Sequence, residues 1–222
     1  MFRTPLFITL YTLVVIIVSS LVTTAYFHYF VLNTNDEQQS LVAFDNNNAN
    51  NSPINEDNTL IELFSYGCHY CALNEENIDK LEARMPAGSK LIRLHINNEQ
   101  MNGLASFSSL FATLTVMGIE SQHRQSAYDA IIRDKIDLSN PKNRDIWLQE
   151  QNIDLAEYNR VSQTPQVKAL LSYMTDVTRY YNIDATPSFI VNRKWLALQD
   201  REFPEFADHL LSLLQHDKPL EP

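Results

Sequence analysis

The sequence predicts an α/β domain carried behind a membrane-spanning helix, and three observations predict it. Residues 5–35 hold no Asp, Glu, Lys or Arg and are largely apolar. Strand-like apolar runs flank a helical stretch between residues 59 and 96, and a second pair of such runs lies near residues 188–198. Between these pairs, residues 99–181 keep apolar side chains at helical spacing throughout. At 222 residues the chain can build one good-sized core with additions, but is short for two full domains.

The apolar run extends from Leu6 to Leu32. About 20 such residues span a bilayer core as a helix. A cleaved leader has a shorter apolar region, roughly 7–15 residues, and Thr23-Thr24-Ala25 is a weak exit signal, so an anchor is the better reading. Tyr26, Phe27, Tyr29 and Phe30 suit an interfacial aromatic belt. Arg3 precedes the span, whereas Asp36 and Glu37 follow it. The positive-inside rule then places the tip in the cytoplasm and the remainder outside. Residues 1–32 are thus read as a cytoplasmic tip and transmembrane signal anchor.

Residues 33–58 read as a flexible Asn-rich linker, polar and without periodicity around Asn46-Asn47-Asn48-Ala49-Asn50-Asn51. Such a tether reaches roughly 25–30 Å. Ser40–Phe44 is a candidate edge strand inside it. The folded head is expected over 59–217. Leu60, Ile61, Leu63 and Phe64 make a buried strand interrupted by Glu62. A helix follows over roughly His69–Met85, with Leu73, Ile78 and Leu81 on one side and Pro86-Ala87-Gly88 as its stop. Lys90–Ile96 alternates as a second strand. The helical insertion occupies about 99–181. Pro187 then opens the strand Ser188–Val191, Asn192-Arg193-Lys194 turns the chain into Trp195–Leu198, and a last helix runs from about Pro204 to Leu214. The layout is βαβ, helical insertion, ββα.

A formal charge of −10 and a pI near 5.0 argue against nucleic-acid binding, which needs a basic footprint. Four glycines are few for a loop-rich all-β design. Both cysteines sit in one motif, Cys68-His69-Tyr70-Cys71. Structural disulfides would scatter their cysteines along the chain. Two Cys with dispersed His make a poor zinc site, so no metal or other cofactor is expected.

Cys-x-x-Cys at a strand-to-helix junction is redox chemistry for a physical reason. The thiolate attacks a disulfide, and a free thiol with pKa near ~8.5 is mostly protonated at neutral pH. Unpaired N–H groups and the dipole at a helix start favour negative charge. Cys68 is the expected attacking sulfur, and a His69 imidazolium would assist its ionisation. Cys71 lies one turn later on the same face, as the buried resolving thiol. The alternatives are half-buried thiols or a metal half-site.

Leu63-Phe64-Ser65-Tyr66-Gly67-Cys68-His69-Tyr70-Cys71 resembles the active-site strand and loop of the DsbA family of periplasmic disulfide oxidases. Met85-Pro86-Ala87-Gly88-Ser89-Lys90, Leu94-His95-Ile96-Asn97 and Thr186-Pro187-Ser188-Phe189-Ile190-Val191-Asn192 resemble the family's following turn, second strand and cis-proline strand. The resemblance covers about residues 59–215. It implies a thioredoxin fold with an inserted helical domain, preceded here by the transmembrane helix. It also implies a cis Thr186–Pro187 bond packed on the cysteines, and roles for Glu62 and Glu75 in proton transfer to Cys71. As partners it implies exported, unfolded or partly folded proteins with thiols, and a DsbB-like membrane redox enzyme. The implied location is the inner (cytoplasmic) membrane, single-pass, with the C-terminal domain in the periplasm.

The departures bear on direction. The family's usual inner dipeptide is Pro-His; here it is His69-Tyr70. Thr186 rather than Val precedes the proline, as in the family's isomerase relatives. A dedicated reductase or isomerase for one partner, and a tethered copper- or zinc-handling protein using Cys68, Cys71 and His69, therefore stand beside the oxidase reading. His95 and the Phe107–Leu114 stripe read as structural, with part of that stripe and Tyr70 as candidate contacts for an unfolded chain.

Overall fold

The computed structural model describes residues 3–26, 40–45 and 49–220. The chain divides into two units, Met1–Gln39 and Ser40–Pro222. In the first, helix α1 (Arg3–Tyr26) is unbroken. Pro5 falls in its first turns, where a missing N–H loses little. The stretch Phe7–Tyr26 is long and apolar enough to cross a membrane by length and composition, reaching about 30 Å at the helical rise. Residues 27–32 of the expected anchor, and residues 33–39 and 46–48 of the expected linker, lie outside the described residues.

The second unit is built on a five-stranded sheet. Its strands are β1 (Leu41–Ala43), β2 (Thr59–Phe64), β3 (Lys90–His95), β4 (Ser188–Val191) and β5 (Trp195–Leu198), in the order β1-β5-β4-β2-β3. Only β2 and β3 are parallel. Their crossover is helical, as a parallel pair requires. Strands β4 and β5 form a hairpin closed by Lys194 N–H on Val191 O at 3.0 Å. Asn192 and Arg193 both have positive φ, the conformation of a two-residue turn matched to strand twist.

Strand β2 is central and wholly buried, Glu62 included. On one face of the sheet Ile61 and Leu63 pack with Phe111, Leu114, Trp147, Met174 and Val177 of the insertion. On the other, Leu60, Phe189 and Val191 pack with Ile78, Leu81, Phe206, Leu210 and Leu213. The last three belong to the terminal helix, whose own range is Phe203–His216.

Two expectations change. Leu41–Ala43 pairs antiparallel with Trp195–Ala197, Phe44 meets the Tyr181 ring edge-on at 4.9 Å, and Ile54 is fully buried. Ser52 Oγ also bonds the Tyr181 hydroxyl at 2.8 Å. The described part of 40–58 is thus bound into the head, and is not free tether. Strand β1 is the edge strand expected within Ser40–Phe44; Ile54 alone gives no periodicity to read. Second, the helix expected over His69–Met85 is two helices, α2 (His69–Leu73) and α3 (Glu75–Glu82), divided at Asn74. The division turns Leu73 outward, so it is exposed, while Ile78 and Leu81 are buried. The insertion is a series of helices, as expected: α4 (Ser108–Val116), α5 (Glu120–Tyr128), α6 (Pro141–Glu150), α7 (Leu155–Ser162) and α8 (Pro165–Tyr180). Asn140, Asp154 and Thr164 start the last three by accepting N–H bonds from Lys142, Glu157 and Val167. A π turn, Asp129–Arg133, follows α5. The terminal helix Phe203–His216 is α9.

Candidate active site

The loop Ser65-Tyr66-Gly67 carries the chain from β2 into α2, and Cys68 caps that helix. Cys68 N–H donates to Ser65 O at 2.9 Å, which fixes the turn. Gly67 allows a close approach: a Cβ there would meet the Phe107 ring at 3.3 Å. The Tyr66 N–H donates to His95 Nε2 at 3.1 Å. Nδ1 then carries the imidazole proton toward Ile96 O, 2.8 Å away. Burial holds the His95 pKa down to about 4, so the ring is a neutral acceptor. His95 is structural, but what it shapes is the active-site loop.

Both cysteines are free thiols. Cys68 Sγ accepts the Cys71 N–H at 3.2 Å and lies 3.2 Å from the Thr186 carbonyl oxygen. The Thr186–Pro187 peptide is cis, and it leads directly into β4. Interaction with the Cys71 thiol, then the Thr186 side chain and the backbone N–H groups of Cys71 and Tyr70, outweigh burial and lower the Cys68 pKa to about 6. Cys71 is fully buried. Burial, together with its bond to and the charge of Cys68, pushes its thiol far up. The two sulfurs are thus split into a ready anion and a retained proton.

The stabilising groups are the cysteine pair, Thr186 and the helix N–H groups. The exposed His69 ring instead meets Tyr70 edge-on at 6.1 Å. Tyr70 and Leu73 are exposed on the same short helix.

Glu62 and Glu75 lie in a cluster with two arginines that the motif analysis did not single out. Glu62 pairs with Arg93 in the parallel register, with Arg93 Nε 2.6 Å from Glu62 Oε2. This contact lacks hydrogen-bond alignment on either side. Arg93 forks onto both Glu75 oxygens at 2.7 and 2.6 Å. Arg124 forks onto Glu120 at 3.0 and 2.5 Å and reaches Glu75 at 3.5 Å. The Tyr66 hydroxyl donates to Glu120 at 2.7 Å.

Burial raises Glu62 to about 7 despite Arg93, and the Glu75 charge adds to the rise. Burial also pushes Glu75 upward, but its bonds to and the charge of Arg93, with Arg124 behind, leave it below the ordinary carboxylate range. The charge of Glu62 adds to the upward push on the Cys71 thiol. A polar residue inside an apolar strand was the visible signal for Glu62. Arg93 becomes its partner only through the strand register, and Arg124 and Glu120 only through docking of the insertion. Among the described residues, no group of three or more His, Cys, Asp and Glu is placed to hold a metal ion.

Residues 55–208 match the family model described as Thioredoxin. The Thiol:disulfide interchange protein DsbA of Azotobacter vinelandii is 27% identical over 137 residues, 61% of this chain and 63% of that protein. Its counterpart in Pseudomonas aeruginosa strain PAO1 is 23% identical over 61% and 64%. The chain therefore spans somewhat under two-thirds of the length of these curated relatives. Among solved structures, Pseudomonas aeruginosa DsbA superposes with a TM-score of 0.66 at 21% identity, over 79% of this chain and 92% of that one. The Neisseria meningitidis oxidoreductase NmDsbA1 gives 0.64 at 23%, over 80% and 91%. At these identities the superpositions speak for the fold, and the fold is the one the sequence predicted: a thioredoxin sheet with a helical insertion between β3 and β4. With the family model covering most of the chain and the cysteine pair set at the cis-proline strand, this chain belongs to the thioredoxin family and is DsbA-like in build.

Proposed function

We propose that this chain is a membrane-tethered thiol–disulfide oxidoreductase that passes a Cys68–Cys71 disulfide to cysteine pairs in exported proteins. The observation that carries the reading is the placement of Cys68 Sγ, which caps its own helix 3.2 Å from the Cys71 N–H while Cys71 is sealed beneath. A substrate thiolate attacks Sγ of Cys68 in the disulfide form. The Cys68–Cys71 bond breaks, and the Cys71 sulfur leaves with the electron pair and takes a proton from Glu62. A second substrate thiolate then attacks the substrate sulfur of the mixed disulfide. Cys68 departs as the stabilised anion, which favours transfer in this direction.

Residues 1–32 serve as the anchor, and residues 33–39 as what remains of the tether. The head lies on the periplasmic side of the inner membrane, and a DsbB-like membrane enzyme reoxidises it. The names of the curated relatives support the interchange chemistry; direction, substrates and partner are this reading's own. Thr186 and Pro187 form the floor against which the substrate strand lies, and His69 and Tyr70 form its rim.

The test is a redox titration of residues 40–222 against glutathione, with mixed disulfides trapped in Cys71→Ala. The oxidase reading requires the dithiol form to be the more stable one, and trapping of exported proteins through Cys68. A more stable disulfide form would favour the second reading, a reductase or isomerase for one partner. The His69-Tyr70 dipeptide and Thr186 before the proline speak for that reading.

A further inference from the structure

Five charged side chains lie together: Glu62, Glu75 and Glu120 with Arg93 and Arg124. All have side chains at most 17% exposed, so water screens their interactions weakly. Three carboxylates face two guanidiniums, and the cluster is neutral only when it holds one proton. Glu75 and Glu120 each take a forked bond from an arginine. Glu62 has the Arg93 contact alone, out of hydrogen-bond alignment. The proton therefore belongs on Glu62.

Glu62 on β2 is faced by Arg93 on β3, Glu75 on α3, Arg124 on α5 and Cys71 on α2, with Glu120 bonded to Arg124 on the same helix. Tyr128, at the end of α5, feels the charges of Glu75, Cys71 and Glu62. His95 is neutral. Of the two cations, Arg93 comes from the strand next to Glu62. Arg124 comes from the helical insertion and contacts Glu62 only through Glu75 and the field.

The geometry points to Arg124 as a positioning residue: its charge, delivered by the insertion, sets the pH at which Glu62 exchanges its proton with Cys71. This rests on the interchange reading for its use but not for its measurement. In the resolving step Cys71 S–H gives its proton to the Glu62 carboxylate. The Cys71 sulfur attacks Sγ of Cys68 in the mixed disulfide, the Cys68–Cys71 bond forms, and the substrate sulfur leaves as a thiolate. A Glu62 that holds its proton to higher pH accepts it too late for that step.

The experiment follows the Glu62 side-chain carboxyl by 13C NMR across pH in the full reduced chain in detergent micelles, with the resonance identified by its loss in Glu62→Gln. Arg124→Gln should raise the midpoint by about 0.5–1 pH unit, and Glu120→Gln should lower it by a similar amount. The double variant Glu120→Gln/Arg124→Gln restores the excess of one carboxylate and should return within about 0.2 unit of the parent. The pH profile of release of a Cys68–glutathione mixed disulfide should move with the same signs. Glu120→Gln leaves Arg124 its Glu75 partner, so its downward shift is readable even where Arg124→Gln unfolds. A midpoint unmoved in folded single variants, or a shift that the double variant fails to reverse, overturns the assignment. A parent chain that exchanges no disulfides would sink the proposed function, while the NMR titration would still decide the role of Arg124.

Discussion

Glu62 and Arg93 are register partners on parallel strands, with an oxygen and a nitrogen 2.6 Å apart, inside a sheet where neither meets water freely. A carboxylate in a central strand is costly unless it is paired or neutral. Here it is partly both, and the fully buried Cys71 thiol shares its field.

Glu62→Gln tests this through stability. Burial raises the native Glu62 pKa to about 7 from the ordinary carboxylate value. The folded chain then binds more protons than the unfolded chain between about pH 4.5 and 7. The stability contributed by Glu62 is full below that window and lost as pH rises through it. His95, held down by burial, contributes with the opposite sign near pH 4–6.5 and cancels in the comparison. Denaturant unfolding should show Glu62→Gln gaining on the parent, by of order 2–3 kcal/mol, from pH 4.5 to 7. A constant difference would mean that Glu62 stays ionised. The same variant should slow mixed-disulfide resolution about 10- to 100-fold.

The redox states should differ in their pH response. Cys68 ionises near pH 6 in the folded dithiol form, but only near an ordinary thiol pKa when unfolded. The unfolded chain binds more protons in between, so dithiol stability rises with pH there and falls away as pH drops through 6. Thermal scans at pH 5, 6, 7 and 8 should show the Tm of the dithiol form climbing relative to the disulfide form, which lacks the group.

The segment ahead of β2 should be required for the fold. Ile54 is fully buried and Ser52 bonds Tyr181. Ile54→Ala should cost about 2–4 kcal/mol. A chain beginning at Thr59 should unfold at lower denaturant than one beginning at Ser40, and equal midpoints would refute the role.

Tyr70 is 70% exposed beside Cys68. Tyr70→Ser should leave stability within about 0.5 kcal/mol. It should slow exchange with cysteine peptides carrying apolar neighbours, yet leave exchange with glutathione unchanged, as competing-substrate kinetics would reveal.

What was legible in the sequence follows from range of interaction. Cys68, Cys71 and the strand-to-helix junction are local and were readable, as were Pro187 and its strand. The parallel β2–β3 pair was readable from a helix between two apolar runs. The break at Asn74 was not, because Asn74 caps both helices with no side-chain bond of the usual kind. Strand β1 was visible as a candidate over Ser40–Phe44, but the docking of its flanking residues onto the head was not. The Arg93–Glu75–Arg124–Glu120 chain joins residues up to 49 positions apart, and only tertiary packing makes neighbours of them.

Direct titration of the Cys68 thiolate bears hardest on the central claim. In the dithiol chain, absorbance near ~240 nm and alkylation rate report the anion. The helix-capped sulfur predicts a single transition near pH 6, lost in Cys68→Ser and kept in Cys71→Ala at a raised midpoint, since the Cys71 thiol is the largest of the groups lowering it. A Cys68 that ionises at or above the ordinary thiol value, near ~8.5, would contradict the account.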